Sequence, residues 1–397
     1  MIQIPDRFPH NDILSLTAEP ALYDLAESVG PDLKLSEVLQ DLADPDLASL
    51  PLAYSGASGH LDLRELIAQR HGVRAEEVIV MAGGMQALFL LAHILCAPGD
   101  DAVIAVPIFP NAKSALQSVS ANIREVRLRF ENGYRLDEAE LRAALTPGTK
   151  LISLASPQNP SGVATSESEV KAALSAIDEI CPGAVLLLDE TYREAVYGDA
   201  PPAPSAVGLH ERIVSCGSLS KCHGAPGLRT GWAITQHEGL RRQLMLGKFN
   251  TIICNSVVDD ALAIRVLQHE AQIVGARRPH LQAGFERTRQ FVADHSDLVD
   301  WVAPDAGALC CLRLNPSRFD EAAVDAFYAE LKTRDVRVGN GAWFGEEARV
   351  FRLGFGLLTM VDFEEALSRL SDALYAACKG AKSAAPLEEA VGVHVHG

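Results

Sequence analysis

Between about residue 78 and residue 235 the sequence alternates short, continuous apolar runs with amphipathic segments, and this alternation restricts the fold more than any other feature. Val78 to Met81, Ala102 to Val106, Arg124 to Phe130, Leu151 to Leu154, Ala184 to Leu188, Arg212 to Cys216 and Gly231 to Thr235 read as strands. Gln86 to Cys96 and Glu167 to Ile180 read as helices, the first stopped by Pro98-Gly99-Asp100. Strands that are apolar on both faces and alternate with helices form a mainly parallel sheet covered on both sides. Ligands of such sheets gather beyond the carboxyl ends of the strands. Gly83, Asn159, Asp189 and Ser218 each fall just past an expected strand.

After Glu238 the pattern turns helical, most clearly over Arg241 to Leu246, Val258 to Gln268 and Gln282 to His295. A smaller α/β region follows: Leu309 to Leu314 and Arg349 to Gly354 as strands, Glu321 to Thr333 and Phe363 to Ala377 as helices. The expected division is a large domain over 45–285, a small domain from 1–44 with 286–378, and a flexible tail over 379–397. A chain of 397 residues has the length for this.

A net charge of −17 argues against nucleic acid, whose binders need a basic surface to displace counterions. Met1 to Leu16 carries no basic region followed by an apolar core, so no secretory signal is expected. The most apolar stretch, Ala87 to Ala97, contains His93 and is too short to span a bilayer. Eight cysteines form no CxxC pair and read as reduced thiols of a cytoplasmic protein. Twelve histidines show no metal-ligand spacing, and no metal is expected; His394 and His396 lie in the terminal stretch.

Ser218-Leu219-Ser220-Lys221 is followed by Gly227-Leu228-Arg229, so two hydroxyls and a guanidinium flank one lysine. Isolated lysines are mostly exposed, but hydroxyls plus a guanidinium suit a phosphate dianion. An amine beside such a site suits a Schiff base to a phosphorylated aldehyde. Asp189 closes the apolar run Ala184 to Leu188, where a carboxylate costs desolvation unless paired. It reads as a helix cap or turn acid, or as the partner of a protonated ring nitrogen. Ser156-Pro157-Gln158-Asn159-Pro160-Ser161-Gly162 is a turn signal, and Gly83-Gly84-Met85 joins a strand to a helix whose first N–H groups can cradle phosphate.

Together Asn159-Pro160-Ser161-Gly162, Asp189-Glu190-Thr191-Tyr192, Ser218 to Lys221 and Gly227 to Arg229 resemble the class I/II aminotransferase family of fold-type I enzymes, which use pyridoxal 5′-phosphate (PLP). Spacings of 30, 32 and 8 positions separate Asn159, Asp189, Lys221 and Arg229. The resemblance implies a mainly parallel seven-stranded α/β sheet flanked by helices, plus a smaller α/β domain. It implies that Lys221 forms the Schiff base, that Asp189 pairs with the pyridinium nitrogen, and that Asn159 and Tyr192 bond the ring phenolate oxygen. Gly84, Met85, Ser218, Arg229 and Ser220 would hold the phosphate, and Phe109 would stack on the ring. Tyr54 would reach the phosphate of a neighbouring subunit in a homodimer, and Arg352 would clamp the substrate α-carboxylate. The implied reaction moves an α-amino group to a 2-oxo acid.

Two segments depart from the family pattern. Leu16-Thr17-Ala18-Glu19-Pro20 stands where the family often has a glycine-containing loop over the substrate, and Asn255 to Asp260 lacks a usual proline and glutamine. Glu19, Asp259 and Asp260 are candidates to face a basic substrate side chain, against ordinary surface charge. A weaker resemblance to enzymes such as capreomycidine synthase, through Asp189 to Glu194, leaves a PLP-dependent lyase, cyclase or oxidase of an arginine-like amino acid as the alternative. A PLP-binding transcriptional regulator is disfavoured, because the acidic residues before Tyr54 contain no basic recognition helix.

Overall fold

The structure, a computed structural model, describes residues 8–18, 21–39 and 45–378. The tail over 379–397 lies outside the described residues. In chain order the strands are β1 (Tyr23–Leu25), β2 (Val78–Ala82), β3 (Asp101–Val106), β4 (Asn122–Arg127), β5 (Thr149–Ala155), β6 (Val185–Asp189), β7 (Ile213–Ser218), β8 (Thr230–Thr235), β9 (Val299–Val302), β10 (Leu309–Leu314), β11 (Val336–Asn340) and β12 (Val350–Gly354).

Strands β2 to β8 form a seven-stranded sheet in the order β2-β8-β7-β6-β5-β3-β4. Only β8 runs antiparallel to its neighbours, pairing Ala82 with Thr230 on one side and Ser218 with Gly231 on the other. Both faces are buried, and successive residues divide between them. Leu186 and Leu188 pack into the apolar core on one side, and Leu187 into the core on the other. The parallel strands therefore deliver their C-terminal loops to one edge. The reversal of β8 brings its N-terminal end, and with it Arg229, to that same edge.

The seven expected strands are all present with small shifts at their ends. The largest shift is at β4, which stops at Arg127; Phe130 instead opens a short 3₁₀ turn and is buried. Helices Pro110–Ser118 and Glu138–Ala144 were not expected; their apolar positions are few and their burial is decided by tertiary contacts.

Strands β1 and β9 to β12 form a second sheet, in the order β1-β11-β12-β10-β9, over its own apolar core. Helix Glu270–Asp294 runs through the expected boundary at 285; it buries Ile273 in one core and Phe291 and Val292 in the other. Its interior Pro279 hid the first half of this helix from a periodicity reading. Among the described residues no helix is long and apolar enough to cross a membrane.

Candidate active site

Gly83 ends β2 with a left-handed φ of 75° and caps helix Gly84–Leu95. A Cβ at Gly83 would lie 2.5 Å from an Arg229 guanidinium nitrogen, and one at Gly231 would lie 2.5 Å from the Gly83 carbonyl carbon and the Gly84 nitrogen. Glycine at both positions lets the start of β8 press the guanidinium against the helix N-terminus. Arg229 has no acidic partner among the described residues; it donates only to the Pro226 carbonyl, at 2.9 Å. The Ser218 hydroxyl is buried nearby in sequence space at the end of β7, and it accepts from the Ser220 N–H at 3.3 Å. A helix N-terminus, an unpaired guanidinium and a buried hydroxyl meet along the paired ends of β2, β8 and β7, an arrangement suited to a phosphate dianion.

Asp189 closes β6 at the same edge. Both the Thr191 N–H (3.0 Å) and its hydroxyl (2.5 Å) donate to one oxygen, Oδ1. Burial holds the carboxyl above the usual carboxylate range, with the Thr191 donors acting against the shift. No cation among the described residues pairs with Asp189, so a protonated ring nitrogen would supply the missing charge. Phe109 lies just past β3, half-buried, at the start of helix Pro110–Ser118.

Tyr192 is buried, and its hydroxyl lies 2.8 Å from the Ser28 hydroxyl. Lys221 donates from Nζ to the same Ser28 oxygen at 3.4 Å. These three residues line one wall of a cavity of about 810 Å³ that extends toward Glu194, Arg277 and His280.

Asn159 sits in a turn locked from both sides. Gln158 donates to the Pro107 carbonyl at 2.6 Å, and the Asp305 and Ala306 N–H groups donate to the Gly162 carbonyl at 2.9 and 3.1 Å. A Cβ at Gly162 would meet Pro304 at 2.5 Å, so the turn and the loop before β10 fit only with glycine there.

Arg352 projects from β12 and is 2% exposed. Its Nε donates to the Ala26 carbonyl at 3.1 Å, a terminal nitrogen donates to the same oxygen, and the other donates to Asn159 Oδ1 at 2.8 Å. The guanidinium lies 4.6 Å over the Phe344 ring. Among the described residues no carboxylate forms an ion pair with it, and burial lowers its pKa. A buried guanidinium without an anion is costly, and a substrate carboxylate would supply one.

The structure thus joins Asn159, Tyr192, Lys221 and Arg352 in one hydrogen-bonded region, and sets Gly84, Met85, Asp189, Ser218, Ser220 and Arg229 along one sheet edge. Tyr54 is 81% exposed in the loop before helix Leu61–His71. Glu19 lies outside the described residues. Asp260 is corrected: it is 1% exposed and buried beside Lys248, and it does not line the cavity. Asp259 follows Ser256, whose hydroxyl caps its N–H at 3.3 Å. Among the described residues, a segment that reaches the site is Ala26 to Pro31, after β1. Ser28, the Ala26 carbonyl and Thr191 were missed. Thr191 was legible beside Asp189, whereas Ser28 stands 164 and 193 positions from its partners and carried no local signal.

A sequence-family model described as aminotransferase class I and II matches residues 22–370. The arginine–pyruvate transaminase of Pseudomonas aeruginosa is 33% identical over 217 residues, a match that covers 52% of this chain and only 54% of that enzyme. Capreomycidine synthase of Streptomyces vinaceus is 27% identical over 304 residues, 76% of each chain. A crystal structure of a PLP-dependent aminotransferase from Streptococcus suis superposes with a TM-score of 0.81 at 25% identity, covering 89% of this chain and 93% of that one.

Proposed function

The chain belongs to the class I and II aminotransferase family, and from that premise we propose that it moves the α-amino group of an amino acid to a 2-oxo acid, with PLP carried on Lys221. Bound there, PLP supplies an electron sink for charge developing at the substrate α-carbon. The chain's own residues do the rest. The Gly84 and Met85 N–H groups, Ser218, Ser220 and Arg229 hold the phosphate. Asp189, oriented by Thr191, keeps the ring nitrogen protonated. Tyr192 and Asn159 face the phenolate oxygen, and Phe109 covers the ring. Arg352 takes the α-carboxylate, and the Lys221 amine, once released, moves the proton at the α-carbon.

The observation that carries this reading is the meeting of Arg352 and Lys221 on one short segment. Arg352 donates to the Ala26 carbonyl and Lys221 to the Ser28 hydroxyl. Two residues of backbone span at most about 7 Å. The closeness of the two anchors suits a substrate whose carboxylate and amino group lie near one another.

The enzyme is proposed to act as a homodimer, with the exposed Tyr54 reaching the neighbouring phosphate site, and to reside in the cytoplasm. The divisions 45–285 and 1–44 with 286–378 are proposed as its two domains. The similarity to an arginine–pyruvate transaminase supports a basic amino acid as donor and pyruvate as acceptor. The 76% coverage of capreomycidine synthase supports a second reading, a lyase, cyclase or oxidase of an arginine-like substrate. Incubation of the purified chain with an amino-acid panel, with and without pyruvate, decides between them. Transamination yields alanine only when pyruvate is present; product formed equally without a 2-oxo acid contradicts it.

A further inference from the structure

Ser28 touches two groups of the proposed machinery. Its oxygen accepts from Lys221 Nζ at 3.4 Å and lies 2.8 Å from the Tyr192 hydroxyl, and the residue is 2% exposed. Its backbone is fixed from several directions. Strand β1 pairs with β11 just before it, through Leu25 and Val338. Arg352 holds the Ala26 carbonyl. Beyond it, Leu33 donates its N–H to the Gly224 carbonyl at 2.7 Å, which ties the segment to the loop that follows Lys221. The Arg277 guanidinium donates to the Pro31 carbonyl and fills the space against Gly30 and Gly224, where a Cβ would fall 2.9 and 2.3 Å from it.

We propose that Ser28 is the positioning residue for Lys221: its hydroxyl anchors the lysine amine against the Tyr192 phenol, so that the released amine stays aimed at the substrate α-carbon. The proposal rests on the aminotransferase reading of the site. A long, flexible lysine side chain loses rotamer freedom when it is held in one geometry, and a general base acts only within hydrogen-bond reach of its proton. A serine hydroxyl is one donor and two acceptors. When Lys221 is an ammonium, Ser28 accepts from it and donates to the Tyr192 oxygen. When Lys221 is a neutral amine it keeps N–H groups, so it still donates to Ser28 while Ser28 donates to the Tyr192 oxygen, and the Tyr192 proton stays free for the ring oxygen. The amine gains and loses its proton while every heavy atom keeps its place. Among the described residues no other side chain hydrogen-bonds Lys221 Nζ.

The test compares wild type, Ser28→Ala and Ser28→Thr, the last keeping the hydroxyl. In the full-length chain before cofactor is added, acetylation of Lys221 by acetic anhydride is followed by peptide mass spectrometry. Ser28→Ala frees the amine and speeds its labelling about threefold or more relative to the other lysines, and Ser28→Thr returns the wild-type rate. In the holoenzyme, rapid mixing with an α-deuterated and an α-protonated donor amino acid reads proton removal. Ser28→Ala slows the isotope-sensitive phase about tenfold to a hundredfold with little change in the donor concentration at half-saturation, and Ser28→Thr recovers most of the rate. Unchanged labelling and an unchanged isotope-sensitive phase in Ser28→Ala overturn the proposal, as does an equal loss in Ser28→Ala and Ser28→Thr. A wild-type holoenzyme that reacts with no amino acid defeats the aminotransferase reading instead, and the labelling comparison still decides whether Ser28 anchors Lys221.

Discussion

Arg352 donates a hydrogen bond to Asn159 Oδ1 at 2.8 Å, across 193 positions of sequence. The contact joins β12 of the smaller sheet to the turn after β5 of the larger one. The group proposed to clamp the substrate carboxylate is thereby oriented by a group proposed to face the cofactor ring.

Replacing Arg352 by lysine keeps the charge and loses the planar fork. An ammonium cannot serve the Ala26 carbonyl, Asn159 and a bidentate carboxylate together. Steady-state kinetics of Arg352→Lys are expected to show KM for the amino donor raised about 50-fold, or ~2.3 kcal/mol, with a smaller change in kcat. A KM within about twofold of wild type moves the carboxylate role elsewhere.

Asp189→Asn separates function from stability. Burial raises the Asp189 pKa in the folded chain above its unfolded value. The folded state holds the proton more tightly than the unfolded one, so the group contributes a stability cost that is absent in acid and sets in as the pH rises through the unfolded value. Without cofactor, the asparagine variant is therefore expected to unfold at higher denaturant concentration at pH 7, with the advantage vanishing in acid. Its transamination rate is expected to fall about a hundredfold or more, since an amide cannot keep the ring nitrogen protonated. Equal activity contradicts the pairing role.

Lys248 is fully buried beside the buried Asp260, and its ammonium has no hydrogen-bond partner among the described residues. Burial lowers the Lys248 pKa to about 8, and the Asp260 charge opposes the shift. Lys248→Met leaves Asp260 as an uncompensated buried acid and is expected to cost about 3 kcal/mol in denaturant unfolding. Adding Asp260→Asn is expected to restore most of that loss. Because Lys248 binds its proton less tightly when folded, wild type should gain stability relative to the double variant as pH rises from 8 toward 10. Additive losses in the double variant contradict the coupling.

Tyr54 is tested by mixing inactive chains. If its side chain serves the neighbouring site, dimers re-formed from Lys221→Ala and Tyr54→Ala chains contain one site with both residues intact. Random pairing then restores about a quarter of wild-type activity. Activity no higher than the sum of the separate variants contradicts a shared site.

Much of the large sheet and its ligand edge was legible in the sequence, because each parallel strand is a short apolar run such as Val185 to Leu188 with a functional residue at its end, as Asp189 is for β6. The residues proposed to face the cofactor were grouped in the sequence by order and spacing, through the family resemblance. Short or polar strands such as β1 and β9 were not legible, since three or four residues carry no period. Asp260 read either as an acid facing a basic substrate or as ordinary surface charge, and only packing against Lys248 reveals it as core. Ser28 follows a three-residue strand and meets Tyr192 and Lys221 only through tertiary structure.

Lys221 is proposed to carry PLP. Reduction of the PLP-loaded protein with borohydride, followed by peptide mass spectrometry, reads the attachment site directly. The phosphopyridoxyl mass is expected on the peptide containing Lys221, at near one per chain, and is expected to disappear with all transamination in Lys221→Ala. The mass on another lysine, or undiminished activity in Lys221→Ala, contradicts it.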